Sequence, residues 1–336
     1  MRAGLTHLVE VEDLHVEFGE ARAVDGASLH VAPGEVLALV GESGSGKTTL
    51  IRAIQGLQKP TSGSIRVEGK PLDSKTKKDI QTVFQNPAVQ MVFQDPTGAL
   101  NPRQTIYEIV VEGLRIHGQP KDEEAKVALA LSRAGLRPPE RFFQMYPHEI
   151  SGGQRQRVVI AGAMVMEPRL LLADEPVASL DASIRGEILA LMRRLVDETN
   201  LSILVVTHDL GLAWNIADRV AVMYLGRIVE TGPAEEILGN PKHPYTRALL
   251  SVVPETREME QQILVGEIPD PARIPSGCRF HPRCPLLQSG TLPPEVAAKC
   301  PADDPGPVAV GAFSAAACWA VVSPPRSEAT LGGVPA

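Results

Sequence analysis

The 336-residue chain has no cysteine before position 278 and no apolar run of the ~18 residues that a helix needs to cross a bilayer. It also lacks an excess of positive charge. The 33 Lys and Arg residues against 40 Asp and Glu residues give a net charge of −7, which argues against a polycation that binds nucleic acid through bulk charge. The first residues lead into charged positions and not into the apolar core of a signal peptide. We therefore expect a cytosolic chain that reaches a membrane only through a partner.

The composition is that of an ordinary globular protein, with 43% hydrophobic and 22% charged residues. These fractions exclude disorder, collagen and coiled coil for the chain as a whole. The composition and the hydrophobic periodicity change after about residue 255. The last 71 residues hold 13 of the 29 prolines and show few helical or strand periods. We expect a main domain over residues 1–255 and an extension over 256–336, which needs a staple or a partner surface to stay ordered.

Buried strands and helices are predicted to alternate in the main domain. The apolar run Val36–Val40 predicts a buried strand, and a helix pattern follows from Lys47 to about Gln58. Two further apolar runs, Leu170–Ala173 and Ile203–Val206, are separated by a predicted helix over Ile184–Asn200. Alternation of this kind predicts an α/β fold with a parallel sheet and crossover helices.

The segment Gly41–Thr48 matches G-x-x-x-x-G-K-[ST] between a predicted strand and a predicted helix. Its glycines allow backbone N–H groups to turn around a phosphate, and the helix N-terminus adds partial positive charge. Lys47 would reach the β- and γ-phosphates, and the Thr48 hydroxyl would ligate Mg²⁺. The segment predicts a nucleotide site.

Two carboxylates follow the predicted strand Leu170–Ala173. Asp174 would hold Mg²⁺ directly or through water, and Glu175 would polarise the attacking water as general base. An acidic pair at a strand end is a weak signal alone, but together with the phosphate loop it predicts nucleotide hydrolysis.

A second anion site is predicted at Ser151-Gly152-Gly153-Gln154, which precedes a helix. Ser151 is a good N-cap, and the glycines expose backbone donors. If this helix end and the loop Gly41–Thr48 bind one phosphate, one of them must come from another copy or a partner.

Five motifs in this order resemble those of the ATP-binding cassette ATPases: Gly41–Thr48, Ser151–Gln156, Asp174-Glu175-Pro176, Ser179-Leu180-Asp181 and Thr207-His208-Asp209. The resemblance covers roughly residues 8–255. It implies an ABC-type P-loop NTPase, with a RecA-like core and a helical subdomain over about residues 97–165. It further implies a head-to-tail dimer with ATP between the two subunits.

The resemblance also implies roles for individual residues. The nucleotide would be bound by Phe18, Gly41, Glu42, Ser43, Gly44, Ser45, Gly46, Lys47, Thr48 and Thr49, and across the dimer by Ser151, Gly152, Gly153, Gln154 and Asp181. Phe18 would stack on the adenine. The catalytic residues would be Lys47, Gln94, Glu175 and His208, and Mg²⁺ would be held by Thr48, Gln94 and Asp174.

Residues 80–88 and 89–97 form a tandem repeat in which five of nine positions are identical. Gln85 and Gln94 therefore both qualify as the single strand-ending glutamine of the family. We favour Gln94, because Asp95–Pro102 follows it as in the family, and the first copy then becomes a nine-residue insertion. The alternative is that Gln85 holds the site.

Other segments narrow the resemblance to the ATPases of dipeptide/oligopeptide importers: Val92–Pro96, Leu100–Arg103, Tyr146–Ile150, Asn240–Leu250 and Gly277–Pro285. The resemblance implies ATP hydrolysis coupled to uptake of di- or oligopeptides. It implies a paired homologous ATPase or a second copy, two membrane permease subunits and an extracytoplasmic solute-binding protein. The chain would lie at the cytoplasmic face of the membrane as a peripheral protein.

Two alternatives remain for the function. Nickel and glutathione importers share this group, so the solute stays open. A non-transport ATPase of the same fold would typically carry two cassettes or a long coiled-coil insertion. Here one motif set is present, and 56 residues separate Gln94 from Ser151.

The four cysteines, Cys278, Cys284, Cys300 and Cys318, are spaced C-x5-C-x15-C-x17-C. This spacing does not identify a metal site by itself, and structural disulfides are not expected in a cytosolic chain. The chain resembles a family whose C-terminal tail can carry a [4Fe–4S] cluster. Together with this resemblance, the four thiols predict such a cluster. A Cys₄ zinc site and four free thiols are the alternatives.

Overall fold

The computed structural model describes residues 7–72, 87–119, 121–253 and 261–322, so Gln85 lies outside the described residues. The strands are β1 Val9–Phe18, β2 Ala21–Val31, β3 Val36–Val40, β4 Ser62–Val67, β5 Lys70–Pro71, β6 Val89–Val92, β7 Leu170–Asp174, β8 Ser202–Thr207, β9 Arg219–Tyr224, β10 Arg227–Pro233, β11 Val308–Ala309 and β12 Ala315–Ala316. The helices are α1 Lys47–Gln55, α2 Pro96–Ala99, α3 Ile106–Ile116, α4 Glu123–Arg133, α5 Gly152–Met164, α6 Ala182–Thr199, α7 Leu210–Ile216, α8 Ala234–Gly239, α9 Pro244–Ser251, α10 Pro285–Gln288, α11 Pro294–Ala302 and α12 Trp319–Val322. Short 3₁₀ turns cover Pro139–Phe142, Pro147–Glu149 and His281–Arg283.

The strands form two sheets. The larger sheet has the order β11-β12-β10-β9-β3-β8-β7-β6, and its strands β9, β3, β8, β7 and β6 are parallel. The smaller sheet has the order β2-β1-β4-β5 and is antiparallel. One apolar core lies between the two sheets around α1, and another lies on the opposite face of the larger sheet under α6, α7 and α8. The predicted parallel sheet with crossover helices is confirmed.

The central strand β3 is buried at all five positions and pairs in parallel with β8 and β9. A continuous apolar run is the pattern that a strand covered on both faces requires. The following helix ends at Gln55, three residues before the predicted Gln58. Gly56 stops it, because this glycine adopts φ 80° and its N–H turns back to Arg52 and Ala53.

The region predicted as a helical subdomain contains α3, α4 and α5, which share a third apolar core. Helix α3 begins at a capping box in which the Thr105 side chain accepts from the Glu108 N–H and the Glu108 carboxylate accepts from the Thr105 N–H. Helix α5 packs on this core and also reaches the core beneath the larger sheet. It therefore joins the helical subdomain to the larger sheet.

The C-terminal extension packs on the main domain of its own chain. Strand β12 pairs antiparallel with β10 through Glu230–Ala316 and Thr231–Ala315, and so lengthens the larger sheet. Phe280 is fully buried and contacts Tyr224 and Tyr245 with ring centroids 5.2 and 5.4 Å apart. The predicted boundary at residues 255/256 lies outside the described residues and stays a prediction. Among the described residues, no helix is both long enough and apolar enough to span a bilayer.

Candidate functional site

The loop between β3 and α1 is closely fitted to its surroundings. A Cβ on Gly41 would lie 2.1 Å from the Met223 carbonyl oxygen, and one on Gly46 would lie 2.1 Å from the Ala23 carbonyl oxygen. Gly46 also has φ 104°, a conformation that side-chain-bearing residues rarely adopt. Close backbone approach therefore requires glycine at positions 41 and 46, and the turn requires it at position 46 as well.

Lys47 is buried, and its Nζ donates to the carbonyl oxygens of Gly41 at 2.7 Å and Glu42 at 2.8 Å. Burial lowers the pKa of Lys47, although the carboxylates of Glu175 and Asp174 act in the opposite direction. Lys47 Nζ also lies 3.4 Å from the Ser45 hydroxyl oxygen. A cation held by neutral carbonyl and hydroxyl groups at the base of the loop is available to phosphate oxygens.

A cavity of about 300 Å³ opens over this loop. It is lined by Ala23, Ser43, Gly44, Gly46, Lys47, Thr48, Thr49, Gln94, Glu175 and Pro271. The predicted phosphate loop, the general base and the favoured glutamine thus meet at one cavity.

Asp174 ends β7 with its carboxylate buried beside the first turn of α1. The Thr48 hydroxyl donates to Asp174 Oδ1 over 3.3 Å, and burial raises the pKa of Asp174 despite this hydrogen bond. The Thr48 hydroxyl on the cavity wall and the buried Asp174 carboxylate that it contacts are hard oxygen ligands of the kind that Mg²⁺ takes. The residues present therefore fit a Mg²⁺ ion.

Glu175 follows Asp174 and adopts φ 47°, which turns its side chain out of the strand direction. Its N–H donates to the Val206 carbonyl oxygen at 2.9 Å, and one carboxylate oxygen lies 2.7 Å from His208 Nδ1. Because β7 and β8 are parallel neighbours, their carboxyl ends bring these two side chains together.

Gln94 lies two residues after β6, which pairs in parallel with β7 beside the Asp174–Glu175 pair. It lines the same cavity as Lys47 and Glu175. This placement favours Gln94 for the predicted role, while Gln85 lies outside the described residues.

The second predicted anion site begins α5. Ser151 and Gln154 form a capping box, with the Ser151 hydroxyl accepting at 3.2 Å and the Gln154 side chain accepting at 2.9 Å. Gly153 is buried against Ile184, whose Cγ2 would lie 2.8 Å from an added Cβ, whereas Ser151 and Gly152 are exposed. None of these residues, nor Asp181 at the start of α6, lines the cavity over Lys47.

Phe18 ends β1 with 52% of its surface exposed. It does not line the cavity described above. An exposed ring at this position is free to be covered by a flat ligand group.

Sequence reasoning missed the part of the C-terminal extension that reaches the phosphate loop. Arg283 is buried and makes a bidentate ion pair with Glu42, at 2.8 and 3.2 Å. Tyr245 Oη accepts the Glu42 N–H at 2.8 Å, and Pro271 lines the cavity. Arg283 and Tyr245 stand in segments that identified the importer group, but nothing in the pattern pointed to Glu42.

The four cysteines of the extension line one small cavity of about 10 Å³. Burial raises the pKa of Cys278 to about 12 and that of Cys318 to about 11, which keeps both as neutral thiols at pH 7. Across the described ranges, no three His, Cys, Asp or Glu side chains come together as a metal-holding group. The predicted [4Fe–4S] cluster is therefore not supported by this arrangement.

Comparison with known proteins agrees with the fold. The ABC transporter profile matches residues 24–178, and the profile of the oligopeptide/dipeptide transporter C-terminal region matches residues 229–290. The structure of cbiO1 from Clostridium perfringens, part of the ABC transporter complex cbiONQ, is similar with a TM-score of 0.64 and 33% identity, covering 70% of this chain and 92% of that one. The dimeric cassette MJ0796 bound to ADP and Pi is similar with a TM-score of 0.59 and 28% identity, over 67% and 98% of the two chains. The fold and the site thus define an ABC-type P-loop ATPase.

Curated relatives give the finer family. The oligopeptide transport ATP-binding protein AppF of Bacillus subtilis is 45% identical over 278 residues, which cover 80% of this chain and 83% of the relative. The oligopeptide transport ATP-binding protein OppF of Salmonella typhimurium is 43% identical over 301 residues, covering 83% and 89%. The chain belongs to the family of oligopeptide transport ATP-binding proteins. The predicted ABC-type P-loop fold, the resemblance and the ATPase class are confirmed.

Proposed function

We propose that this chain is the ATP-hydrolysing subunit of an importer of di- or oligopeptides. The observation that carries the proposal is the cavity shared by Lys47, Thr48, Gln94 and Glu175, in a chain whose relatives are named for oligopeptide transport. The match of the C-terminal region of oligopeptide/dipeptide transporters to residues 229–290 supports the same group. Importers of nickel and of glutathione remain the alternatives.

The phosphate groups of ATP are bound by the loop from Gly41 to Thr49, with Lys47 supplying the positive charge. Thr48, Asp174 and Gln94 hold Mg²⁺, which when bound neutralises negative charge on the phosphates. Glu175 accepts a proton from the attacking water, and His208, 2.7 Å from that carboxylate, orients it and contacts the γ-phosphate. Phe18 stacks on the adenine.

A second subunit completes the site. Ser151, Gly152, Gly153 and Gln154 form a helix N-terminus that is exposed at Ser151 and Gly152 and does not line the cavity over Lys47. Asp181 likewise lies outside that cavity. In a head-to-tail dimer these residues cover the phosphates held by the other subunit. The dimeric state of the similar cassette MJ0796, bound to ADP and Pi, supports this arrangement. The second subunit is a paired homologue or another copy of this chain.

ATP-driven closure of the dimer is passed to two membrane permease subunits through the segment that follows Gln94. An extracytoplasmic solute-binding protein delivers the peptide to those permeases. The chain then works as a peripheral protein at the cytoplasmic face of the membrane, with no role for nucleic acid.

A [4Fe–4S] cluster on Cys278, Cys284, Cys300 and Cys318 stays a prediction. All four thiols line one cavity, but its volume of about 10 Å³ and the lack of a metal-holding group among the described residues oppose the cluster. Iron, zinc and acid-labile sulfide are measured after anaerobic purification. Iron with sulfide supports the cluster, one zinc per chain supports the zinc alternative, and neither metal leaves four free thiols.

The proposed transport function is tested in the reconstituted complex with permeases and binding protein. ATPase rates are compared without solute and with a di- and oligopeptide panel, nickel and glutathione. Stimulation of the ATPase rate by peptides alone supports the proposal. Stimulation by nickel or glutathione alone would show that the chain serves an importer of that solute instead. A protein that hydrolyses ATP at a normal basal rate but does not associate with membranes that contain the permeases would contradict a transport role.

A further inference from the structure

We propose that Arg283 of the C-terminal extension is a positioning residue for the ATP site, which neutralises Glu42 inside the phosphate loop and holds its backbone for Lys47. The proposal rests on the proposed ATP site, and it gives the extension a part in nucleotide binding. Three features carry it: the ion pair itself, the contacts that fix both partners, and the negative charge of the phosphate loop that the pair neutralises.

The ion pair is well defined on the side of the extension. Arg283 Nη1 and Nη2 donate to the two oxygens of Glu42 at 2.8 and 3.2 Å, and Nε donates to the Gly266 carbonyl oxygen at 3.1 Å. The guanidinium lies 6.0 Å from the centroid of the Tyr224 ring, and the side chain is only 6% exposed. A planar guanidinium with this set of partners has one orientation, which a lysine could not reproduce.

Glu42 is fixed through its backbone as well. Its N–H donates to Tyr245 Oη at 2.8 Å, and its carbonyl oxygen accepts from Lys47 Nζ at 2.8 Å and from the Ser45 N–H at 3.2 Å. The side chain of Glu42 is therefore held by Arg283, while its carbonyl group holds the lysine that reaches for phosphate. A displacement of Glu42 displaces an anchor of Lys47.

The extension is tied to the same cavity at two further points. The Pro271 carbonyl oxygen accepts from the Arg22 N–H at 3.1 Å, and Pro271 lines the cavity beside Ala23. Arg279 is buried and pairs with Asp25 on β2. Arg283 thus belongs to a surface of the extension that contacts the phosphate loop and the adjoining strand β2.

Loss of Arg283 would both release Glu42 and leave its charge unpaired, and we expect the unpaired charge to have the larger effect on ATP binding. The Glu42 carboxylate is a part of the loop that binds polyphosphate, and without a partner its negative charge would repel ATP. Like charges repel more strongly in a partly buried site than in water. Arg283 removes that repulsion, so its loss should weaken binding of ATP more than binding of ADP, which carries less charge.

The test measures dissociation constants for ATP and ADP in the full-length protein by fluorescence titration. We expect Arg283→Met to raise the dissociation constant for ATP about tenfold, which corresponds to about 1.4 kcal/mol, with a smaller rise for ADP. The double variant Arg283→Met with Glu42→Gln should recover most of the lost affinity, because it no longer carries an unpaired carboxylate. Added salt should reduce the defect of the single variant.

Arg115→Met is the matched control, because Arg115 also forms a bidentate pair with a glutamate, Glu123, but does so in the helical subdomain. It should bind ATP as the unaltered protein does. If Arg283→Met fails to fold, Glu42→Gln carries the test alone, since removing the carboxylate while keeping Arg283 should tighten ATP binding.

Unchanged ATP affinity in folded Arg283→Met, or no recovery in the double variant, would overturn the inference. Weaker ATP binding by Glu42→Gln would overturn it as well. Failure of the unaltered protein and of Arg115→Met to bind any nucleotide would instead overturn the proposed function, on which the inference rests.

Discussion

His208 Nδ1 lies 2.7 Å from a carboxylate oxygen of Glu175, and the two residues follow neighbouring parallel strands. This contact couples the proposed general base to the histidine that would meet the γ-phosphate. The base is also held by its backbone, because the Glu175 N–H donates to the Val206 carbonyl oxygen on the strand that leads to His208. The carboxylate is therefore oriented before substrate binds, which is the condition for efficient proton abstraction.

Glu175→Gln is expected to keep nucleotide affinity and to lose about 10²–10⁴-fold in turnover, the range of general base catalysis. Phosphate release and ATP binding are measured on the same sample. Glu167→Gln is the control, since Glu167 has a similar backbone conformation, with φ 51° against 47°, but lies on the surface. Turnover by Glu175→Gln at the rate of the unaltered protein would remove Glu175 from the role of base.

Asp174→Asn is expected to stabilise the nucleotide-free protein while it weakens Mg²⁺-dependent hydrolysis. Burial raises the pKa of Asp174, so its charged form costs folding free energy at neutral pH. With a raised pKa in the folded state, the cost is absent below the unfolded pKa of about 3.9 and grows as the pH rises through the folded value. The stabilisation by the amide should therefore be largest at neutral pH and shrink on acidification.

Urea unfolding between pH 4 and pH 8, without nucleotide, measures this difference, and a Mg²⁺ titration of the ATPase rate measures the functional loss. A stabilisation that does not depend on pH would contradict an origin in the buried charge.

Gln94→Ala is expected to lower Mg²⁺ affinity or ATPase activity about 10–100-fold, the usual cost of losing a group that supports a metal site. Gln85→Ala is the matched control supplied by the tandem repeat, because both glutamines follow Val-Phe in the sequence. Its ATPase rate should stay near that of the unaltered protein. A larger loss of ATPase activity in Gln85→Ala than in Gln94→Ala would show that the first copy of the repeat holds the site.

Gly46→Ala is expected to abolish nucleotide binding and to destabilise the fold. An added Cβ would lie 2.1 Å from the Ala23 carbonyl oxygen, in addition to the ~1–3 kcal/mol of strain that a positive φ imposes. Gly44→Ala separates the two effects, since Gly44 also has a positive φ but nothing lies within 4 Å of its added Cβ. Equal denaturant midpoints for the two variants would contradict the role of close approach.

The parts that could be predicted are those that a contiguous segment determines. The apolar run Val36–Val40, the following glycines and Lys47 define strand, loop and helix together, and all three form at the predicted place. The helical pattern predicts an end at about Gln58, three residues beyond the observed one, because the left-handed turn at Gly56 outweighs the pattern beyond it.

The parts that could not be predicted depend on distant residues. Arg283 and Glu42 are separated by 241 positions, and no periodicity or spacing relates them. The same holds for Pro271 in the cavity wall and for the pairing of β12 with β10. The extension was expected to need a staple or a partner surface, and its packing on the main domain supplies that surface within one chain.

Phe18→Ala is expected to weaken ATP binding about tenfold, because stacking of a base on an aromatic ring contributes about 1–3 kcal/mol. A packing role for Phe18 would instead appear as lost stability, yet the ring is 52% exposed at the end of β1 and has little buried area to lose. Competition titrations with ATP and with inorganic tripolyphosphate distinguish the two roles. Only ATP should lose affinity, since tripolyphosphate has no base.

Two further variants complete this test. Phe18→Trp should retain ATP affinity, because a larger ring still stacks on the adenine. Phe313→Ala removes another exposed phenylalanine, 79% exposed on the extension, and should leave both titrations unchanged. If Phe18→Ala weakens ATP and tripolyphosphate equally, the ring supports the phosphate loop and the adenine must be bound elsewhere.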